Sequence, residues 1–213
     1  SFGGNKRQDQ WMHGTEHERQ KTPYSIRLNE VHLLLYGFVD CRSSIDKEKE
    51  SKGYYPINIP DAVVDLEKSK AVYQNECVVC HGQNGHGIKN ADANLGYQYP
   101  PLWGNDSYND GAGMHRVITS DEFIKGNMPF GQATWDRPKL TDEEAFNVAG
   151  YINSFDRPYK ANTENDYPDK KLKPVSTSYG PWVDGFSAEQ HKYGPFLPII
   201  SYYKEKYDIT KTK

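Results

Sequence analysis

The stretch Cys77-Val78-Val79-Cys80-His81 decides how the middle of this chain folds. It is the C-x-x-C-H pattern by which haem is attached covalently: the thiols add to the haem vinyl groups, and the histidine can ligate the iron. A thioredoxin-like dithiol would need a βαβ context, which the sequence does not show. A zinc site would need a second ligand pair at metal spacing, and the remaining cysteine, Cys41, stands alone. The pattern therefore predicts one covalently bound haem c, held by Cys77 and Cys80, with His81 as a ligand to the metal.

Composition limits the remaining classes of protein. The length of 213 residues suits one or two domains. The hydrophobic content of 36% is low, while sixteen tyrosines and thirteen prolines indicate long irregular segments. A net charge of −3 gives no indication of nucleic-acid binding, which usually needs a basic patch. No apolar run in the sequence is long enough to predict a transmembrane segment.

The expected location follows from the haem. The sequence begins at Ser1 and not at methionine, and we interpret it as a mature product whose export signal has been removed. Covalent haem attachment is ordinarily completed outside the cytoplasm, which predicts a periplasmic or other extracytoplasmic location. With Cys77 and Cys80 assigned to the haem, Cys41 is left without another cysteine to pair with in an exported protein.

Three regions are predicted along the chain. Residues 1–61 form a polar N-terminal extension, in which His13 and His17 at i, i+4 spacing are more typical of a solvated helical turn than of a metal site. Residues 62–158 form a monohaem cytochrome c domain. Residues 159–213, rich in proline and tyrosine, form an extended C-terminal arm that packs on the haem domain.

The haem domain is predicted to be mainly α, with a class I cytochrome c fold. Asp65 caps a first helix over about 66–80 that carries the C-x-x-C-H at its end. Its buried side is expected to contain Leu66, Val72 and Tyr73.

Two more helices follow in the same domain. Ser120 or Asp121 is predicted to cap a short helix over 122–127. Thr141 and Glu144 form a capping box at the start of the last helix, which Pro158 is expected to end.

The iron needs further partners. A haem-ligating histidine needs an acceptor on its other ring nitrogen; in class I cytochromes c this is a proline carbonyl, and the spacing Pro-x-Leu-x-Gly indicates Pro100. Met128, followed by Pro129, resembles the ligand loop of that class, and a thioether opposite the histidine raises the reduction potential. Met114 and His115 are the alternative ligands, although a core position suits both better.

Several side chains are candidates for the haem pocket. Leu102 and Trp103 are expected to line it. Arg116 suits a haem propionate, with a surface ion pair as the alternative. Tyr108, Trp103 and Trp135 could donate hydrogen bonds to the propionates or belong to the core.

The motifs together resemble one known family. The matching stretches include Pro100 to Gly104, Ser107 to Met114, Phe123 to Lys125, Asn127 to Pro129 and Leu140 to Ala145. Over about 65–160 they resemble the C-terminal haem domain of thiosulfate dehydrogenases, periplasmic cytochromes c that join two thiosulfates into tetrathionate.

The departures from that family matter as much. The resemblance implies two haems, the catalytic one with a cysteine axial ligand in a preceding domain, whereas this sequence has one C-x-x-C-H. It therefore resembles the electron-exit haem of those enzymes. Some members have a lysine beside the ligating methionine, and Asn127 at that position favours plain His/Met ligation.

The leading hypothesis is periplasmic electron transfer through one His/Met haem c. The chain would be a carrier or subunit serving a redox enzyme of sulfur-compound or respiratory metabolism, with redox proteins, or a larger cytochrome complex, as partners. The alternative is a thiosulfate dehydrogenase-like enzyme that uses Cys41 or a partner chain's haem at the substrate site. A free cysteine without chemistry suits Cys41 better, so the sequence favours electron transfer over stand-alone catalysis.

Overall fold

The computed structural model describes residues 53–213. The expectations for Cys41, for the two histidines at 13 and 17, and for most of the N-terminal extension lie outside these residues.

Helices dominate the described residues, with one small hairpin between them. The elements in chain order are α1 (Leu66–Glu76), α2 (Val78–His81), β1 (Ile88–Lys89), β2 (Tyr97–Tyr99), α3 (Val117–Asn127), α4 (Asp142–Ser154), α5 (Ala188–Tyr193) and α6 (Leu197–Tyr207). The strands pair antiparallel, with Ile88 opposite Tyr99 and Lys89 opposite Tyr97. Helix α4 packs against both α1 and α3, and the core lies between them. The fold is therefore the mainly α one that the sequence predicts.

Helix α1 begins as predicted and ends earlier. The Asp65 side chain accepts hydrogen bonds from the backbone N–H groups of Glu67 and Lys68. The helix stops at Glu76, so the single helix predicted over 66–80 is wrong: Cys77 separates α1 from the short α2.

The buried side of α1 differs as well. Leu66 is 41% exposed, so its predicted burial is wrong, whereas Tyr73 is buried. Ser69 takes the inner position, because its hydroxyl donates to the Asn147 carbonyl of α4 at 2.6 Å. A small hydrogen-bonded residue lets the two helices approach closely.

Helix α3 starts one turn before its predicted cap. It begins at Val117 after a 3₁₀ turn, and Ser120 and Asp121 lie buried inside it, so neither caps it. Val117 and Ile118 are fully buried, and their burial in the core draws the first turn into the helix.

Helix α4 has the predicted capping box. Glu144 N–H donates to the Thr141 hydroxyl at 3.1 Å, and Thr141 N–H donates to the Glu144 carboxylate at 2.8 Å. The helix ends at Ser154, before the predicted stop at Pro158.

The C-terminal segment, residues 159–213, is more regular than an extended arm. It contains α5 and α6, which the sequence reading missed. Its Phe196 is fully buried and packs edge-on against Phe146 of α4, with ring centroids 6.1 Å apart. Val64 N–H donates to the Tyr193 carbonyl at 2.9 Å, just before α1 begins. The segment thus shares one core with the haem-domain helices.

Candidate haem site

His81, at the end of α2, is held by the backbone. Its Nδ1 lies 2.8 Å from the Pro100 carbonyl oxygen, the acceptor expected from the sequence. A carbonyl only accepts, so Nδ1 carries the hydrogen and Nε2 keeps its lone pair. Within residues 53–213 Nε2 has no hydrogen-bond partner. Burial lowers the pKa of His81, against the opposing effect of the Pro100 bond, so the ring is neutral and suited to bind a metal.

The turn after His81 lies close against the chain that carries Pro100. A Cβ at Gly85 would come within 2.4 Å of the Trp103 ring, and one at Gly87 would come within 2.4 Å of the Tyr99 carbonyl oxygen. Both glycines also have positive φ. Only glycine allows this approach, which brings the Pro100 carbonyl to the histidine ring.

The two cysteines of the motif are both half-buried. Cys77 closes α1, and its carbonyl accepts from the backbone N–H groups of Cys80 and His81 at 3.2 and 2.9 Å. Burial raises the pKa of the Cys77 thiol to about 12, with smaller contributions from Glu76 and Cys80. The sulfur is therefore a neutral thiol near neutral pH.

Met128 follows the last residue of α3, in the predicted loop between two helices. Its backbone N–H donates to the Ile124 carbonyl at 2.9 Å, and its half-buried side chain packs against the core. Pro129 is buried, and its carbonyl accepts from the N–H groups of Gln132 and Ala133, which closes the loop. The main chain on both sides of Met128 is therefore fixed by hydrogen bonds.

Leu102 and Trp103, which are predicted to line the haem pocket, both contact Gly85 in the turn after His81. Trp103 is buried and stacks on Phe155 with centroids 4.1 Å apart. Leu102 is half-buried against the core, and its N–H donates to the Gly85 carbonyl at 2.7 Å.

Tyr108 and Arg116, two of the suggested propionate partners, make hydrogen bonds within the protein, and Trp135 makes a ring contact. The Tyr108 hydroxyl donates to Asn153 Oδ1 at 3.1 Å. Arg116 donates to the Gly113 carbonyl and to the Tyr167 hydroxyl, each at 3.3 Å. The Trp135 ring packs edge-on against Tyr55. The role of these three side chains toward a haem propionate stays a prediction.

The alternative ligands are His115, whose Nδ1 is bonded to a carbonyl as in His81, and Met114, whose backbone carbonyl and not its thioether accepts a hydrogen bond. His115 is buried with Nδ1 2.7 Å from the Asp110 carbonyl oxygen, and the Met114 carbonyl accepts from Asn153 at 3.1 Å. Burial, together with the charge of Arg157, lowers the pKa of His115 to about 4.

Sequence reasoning missed two residues that brace the site. Arg157 donates to the carbonyls of Ile152 and Leu102, at 2.8 and 3.4 Å, and so connects α4 to the segment that carries Leu102. Asn153 is fully buried and bridges Tyr108 and Met114. The only signal for Asn153 was a polar residue within the apolar pattern of α4.

The residues at the site fit a haem c. A neutral buried histidine with a free Nε2 follows two cysteines at attachment spacing, and a glycine turn brings the Pro100 segment against it. Such a set supplies one nitrogen ligand and two sulfur anchors. No cluster of three or more metal-binding side chains occurs within residues 53–213.

Comparison with known proteins gives the same picture. The model of the cytochrome c family matches residues 66–156. A thiosulfate dehydrogenase of Stutzerimonas stutzeri is 40% identical over 144 residues, which are 65% of this chain and 45% of that protein. One from Allochromatium vinosum is 44% identical over 99 residues, 46% of this chain and 33% of that protein.

A solved structure is similar as well. The thiosulfate dehydrogenase (TsdBA) of Marichromatium purpuratum is 40% identical in sequence, with a TM-score of 0.46, over 53% of this chain and 22% of that one. The chain therefore matches less than half the length of each of these relatives. Residues 66–156 are a c-type cytochrome domain, and this domain resembles the haem domain of thiosulfate dehydrogenases.

Proposed function

We propose that this chain transfers electrons through one haem c, bound covalently by Cys77 and Cys80 and ligated by His81 and Met128. The geometry of His81 carries the proposal: Nδ1 is fixed by Pro100 and Nε2 is left without a protein partner. When bound, the haem iron supplies a one-electron couple, which a histidine–thioether ligand pair places at a raised potential.

The protein supplies rigidity around that couple. The Pro100 bond restrains rotation of the His81 ring, and hydrogen bonds fix the main chain of the Met128 loop. Little rearrangement of the ligands is then needed when an electron arrives or leaves, which is what a carrier requires.

Access for a partner is also available near the ligands. Val79, inside the C-x-x-C-H, is 74% exposed, and Phe130, in the Met128 loop, is 61% exposed. Exposed apolar side chains beside a redox site suit brief contact with another redox protein. We propose such a protein, or a larger cytochrome complex, as donor and acceptor.

The similar proteins suggest the source of the electrons, and the C-x-x-C-H motif suggests where in the cell the protein works. Because the matching proteins are named thiosulfate dehydrogenases, we propose that the electrons come from the oxidation of sulfur compounds. Covalent haem attachment supports a periplasmic location. Within residues 53–213, no helix is long and apolar enough to cross a membrane.

The ligand assignment has a direct test. In the full chain matured with haem, Met128→Ala should abolish the absorption band of thioether-ligated ferric haem, while the matched variant Met114→Ala should retain it. An unchanged band in Met128→Ala would exclude Met128 as ligand. Mass spectrometry of the wild type should show one haem attached, and its loss in Cys77→Ser together with Cys80→Ser.

A second candidate function is thiosulfate oxidation by this chain itself, favoured by the names of its relatives. The test is the spectrum of the oxidised protein on adding thiosulfate alone, with ascorbate as the positive control. Reduction by ascorbate only supports an electron carrier. Rapid reduction by thiosulfate, lost in Cys41→Ser, would assign the reaction to this chain and Cys41.

A further inference from the structure

Tyr73 reaches from α1 into the turn that follows His81. Its ring is buried at 1% exposure, and its hydroxyl donates to the Gly82 carbonyl at 2.7 Å. Burial raises the pKa of Tyr73, with smaller contributions from Cys77 and Tyr151. The hydroxyl therefore keeps its proton and remains a hydrogen-bond donor.

The same turn is connected to the chain segment that holds the histidine ring. Gly85 N–H donates to the Gly82 carbonyl at 3.1 Å, and the Gly85 carbonyl accepts from Leu102 N–H at 2.7 Å. Two residues before Leu102, the Pro100 carbonyl accepts from His81 Nδ1. Three hydrogen bonds and the short chain from Leu102 back to Pro100 thus connect the Tyr73 hydroxyl to the acceptor of the histidine.

Aromatic rings also pack against the turn that contains Gly85. The Tyr73 ring lies 5.1 Å from the Trp103 ring, which covers Gly85, and 5.5 Å from the Tyr151 ring. The turn is therefore clamped between an aromatic cluster and the 99–103 segment, and the Tyr73 hydroxyl is the polar contact from that cluster to the Gly82 carbonyl.

We propose that Tyr73 is a positioning residue for His81. Its hydroxyl fixes the Gly82–Gly85 turn, the turn fixes the Pro100 carbonyl, and that carbonyl sets the orientation and basicity of the imidazole. This inference rests on the proposed role of His81 as the iron ligand.

The direction of the effect follows from the hydrogen bond. A carbonyl that accepts from Nδ1–H makes the other nitrogen a stronger electron donor, which favours the oxidised iron. Loosening that bond weakens the donation and favours the reduced form. Loss of the Tyr73 hydroxyl should therefore raise the reduction potential.

The test compares two tyrosine variants of the haem-containing full chain. Tyr73→Phe keeps the ring and removes the hydroxyl. Tyr151→Phe is the matched control, because Tyr151 belongs to the same aromatic cluster and its hydroxyl makes no hydrogen bond within residues 53–213. In Tyr73→Phe we expect about a threefold change in the reduced-to-oxidised ratio at fixed ambient potential, or about 30 mV at 59 mV per tenfold. In Tyr151→Phe we expect no change.

Equal shifts in both variants, or none in Tyr73→Phe, would overturn the inference. A wild-type spectrum without histidine ligation would instead overturn the proposed function, so the two failures are distinguishable. If Tyr73→Phe does not fold, proton NMR of the reduced wild type replaces it. We expect slowly exchanging signals from the Tyr73 hydroxyl and His81 Nδ1–H, and a rapidly exchanging Tyr73 proton would contradict the proposal.

Discussion

Two buried histidines, His81 in the cytochrome domain and His191 in the C-terminal segment, have opposite hydrogen-bonding patterns. His81 makes one hydrogen bond, to the Pro100 carbonyl. His191 uses both nitrogens: Nδ1 lies 2.7 Å from the Val175 carbonyl oxygen, and Nε2 lies 3.0 Å from Asp184 Oδ1. His81 therefore keeps one ring nitrogen available to a metal, whereas His191 keeps none.

The pairing of His191 determines its charge. A carbonyl and a carboxylate can only accept, so both ring nitrogens of His191 carry hydrogen and the ring is an imidazolium. Asp184 also accepts from the Tyr203 hydroxyl at 2.6 Å and from Phe186 N–H at 3.1 Å. Burial opposes ionisation of Asp184, but the hydrogen bonds from Tyr203 and His191 hold its pKa below the ordinary value.

This ion pair is central to the C-terminal segment. The side chains of His191 and Asp184 are 1% and 0% exposed, and Trp182 stacks on the imidazole with centroids 4.4 Å apart. His191 lies on α5 and Tyr203 on α6, so the pair joins both helices to the loop at Asp184. His191 therefore stabilises structure, whereas His81 is available for ligation.

The largest expected effect comes from separating these two roles. His191→Gln leaves the Asp184 carboxylate buried without its counter-charge, and we expect the free energy of unfolding to fall by about 3–5 kcal/mol. The haem spectrum of the folded protein should stay that of the wild type. His81→Gln should instead change the haem spectrum, because it abolishes histidine ligation. Denaturant unfolding and visible spectra measure both.

The matched control for His191→Gln is His86→Gln, since His86 is exposed. It should change neither the stability nor the spectrum. A His191→Gln protein as stable as the wild type would show that the buried ion pair contributes no net stability.

A third buried histidine, His115, is expected to make the stability of the protein depend on pH. His115 is buried in its neutral form, with its pKa lowered to about 4 by burial and by Arg157. Between the ordinary value of about 6.5 and that value, the unfolded chain binds a proton that the folded protein does not. We therefore expect about 3 kcal/mol of stability to be lost as the pH falls through this range.

Unfolding free energies across that pH range test the expectation. His115→Gln should flatten the dependence, and His86→Gln should leave it unchanged. A wild-type stability that does not vary over the range would contradict the burial of a neutral His115.

The smallest expected loss of stability comes from Tyr203 of α6, which donates a hydrogen bond to Asp184 of the ion pair. Tyr203→Phe removes the hydroxyl that donates to Asp184 Oδ2 and keeps the buried ring. We expect a loss of about 2 kcal/mol, the usual contribution of a hydrogen bond to a charged group. The control is Tyr202→Phe, whose hydroxyl accepts from the exposed Lys206 ammonium. Equal losses in both variants would show that Asp184 does not depend on Tyr203.

The features that the sequence predicted well depend on short spacings. The capping box from Thr141 to Glu144 spans four residues, and the C-x-x-C-H spans five. Local geometry alone decides such patterns, since their groups are brought together by one turn of chain.

The failed predictions involve packing between distant segments. Leu66 is the more apolar residue, but Ser69 faces α4, where the Asn147 carbonyl accepts its hydroxyl. Ser120 is a good cap in isolation, but the burial of Val117 and Ile118 extends α3 past it. In both cases the position of another helix outweighs the local preference.

By itself, the sequence determined the haem-binding motif, the Pro100 acceptor, the cap of α4 and the mainly α class, because each follows from residue types at fixed short spacing. Only the tertiary structure decided that Tyr73 donates to Gly82 and that His191 is paired on both nitrogens. The partners of His191 lie at positions 175 and 184, and Tyr203 completes the group. Such a group exists only after the chain has folded, because packing of separate segments and not their spacing brings the donors and acceptors within reach.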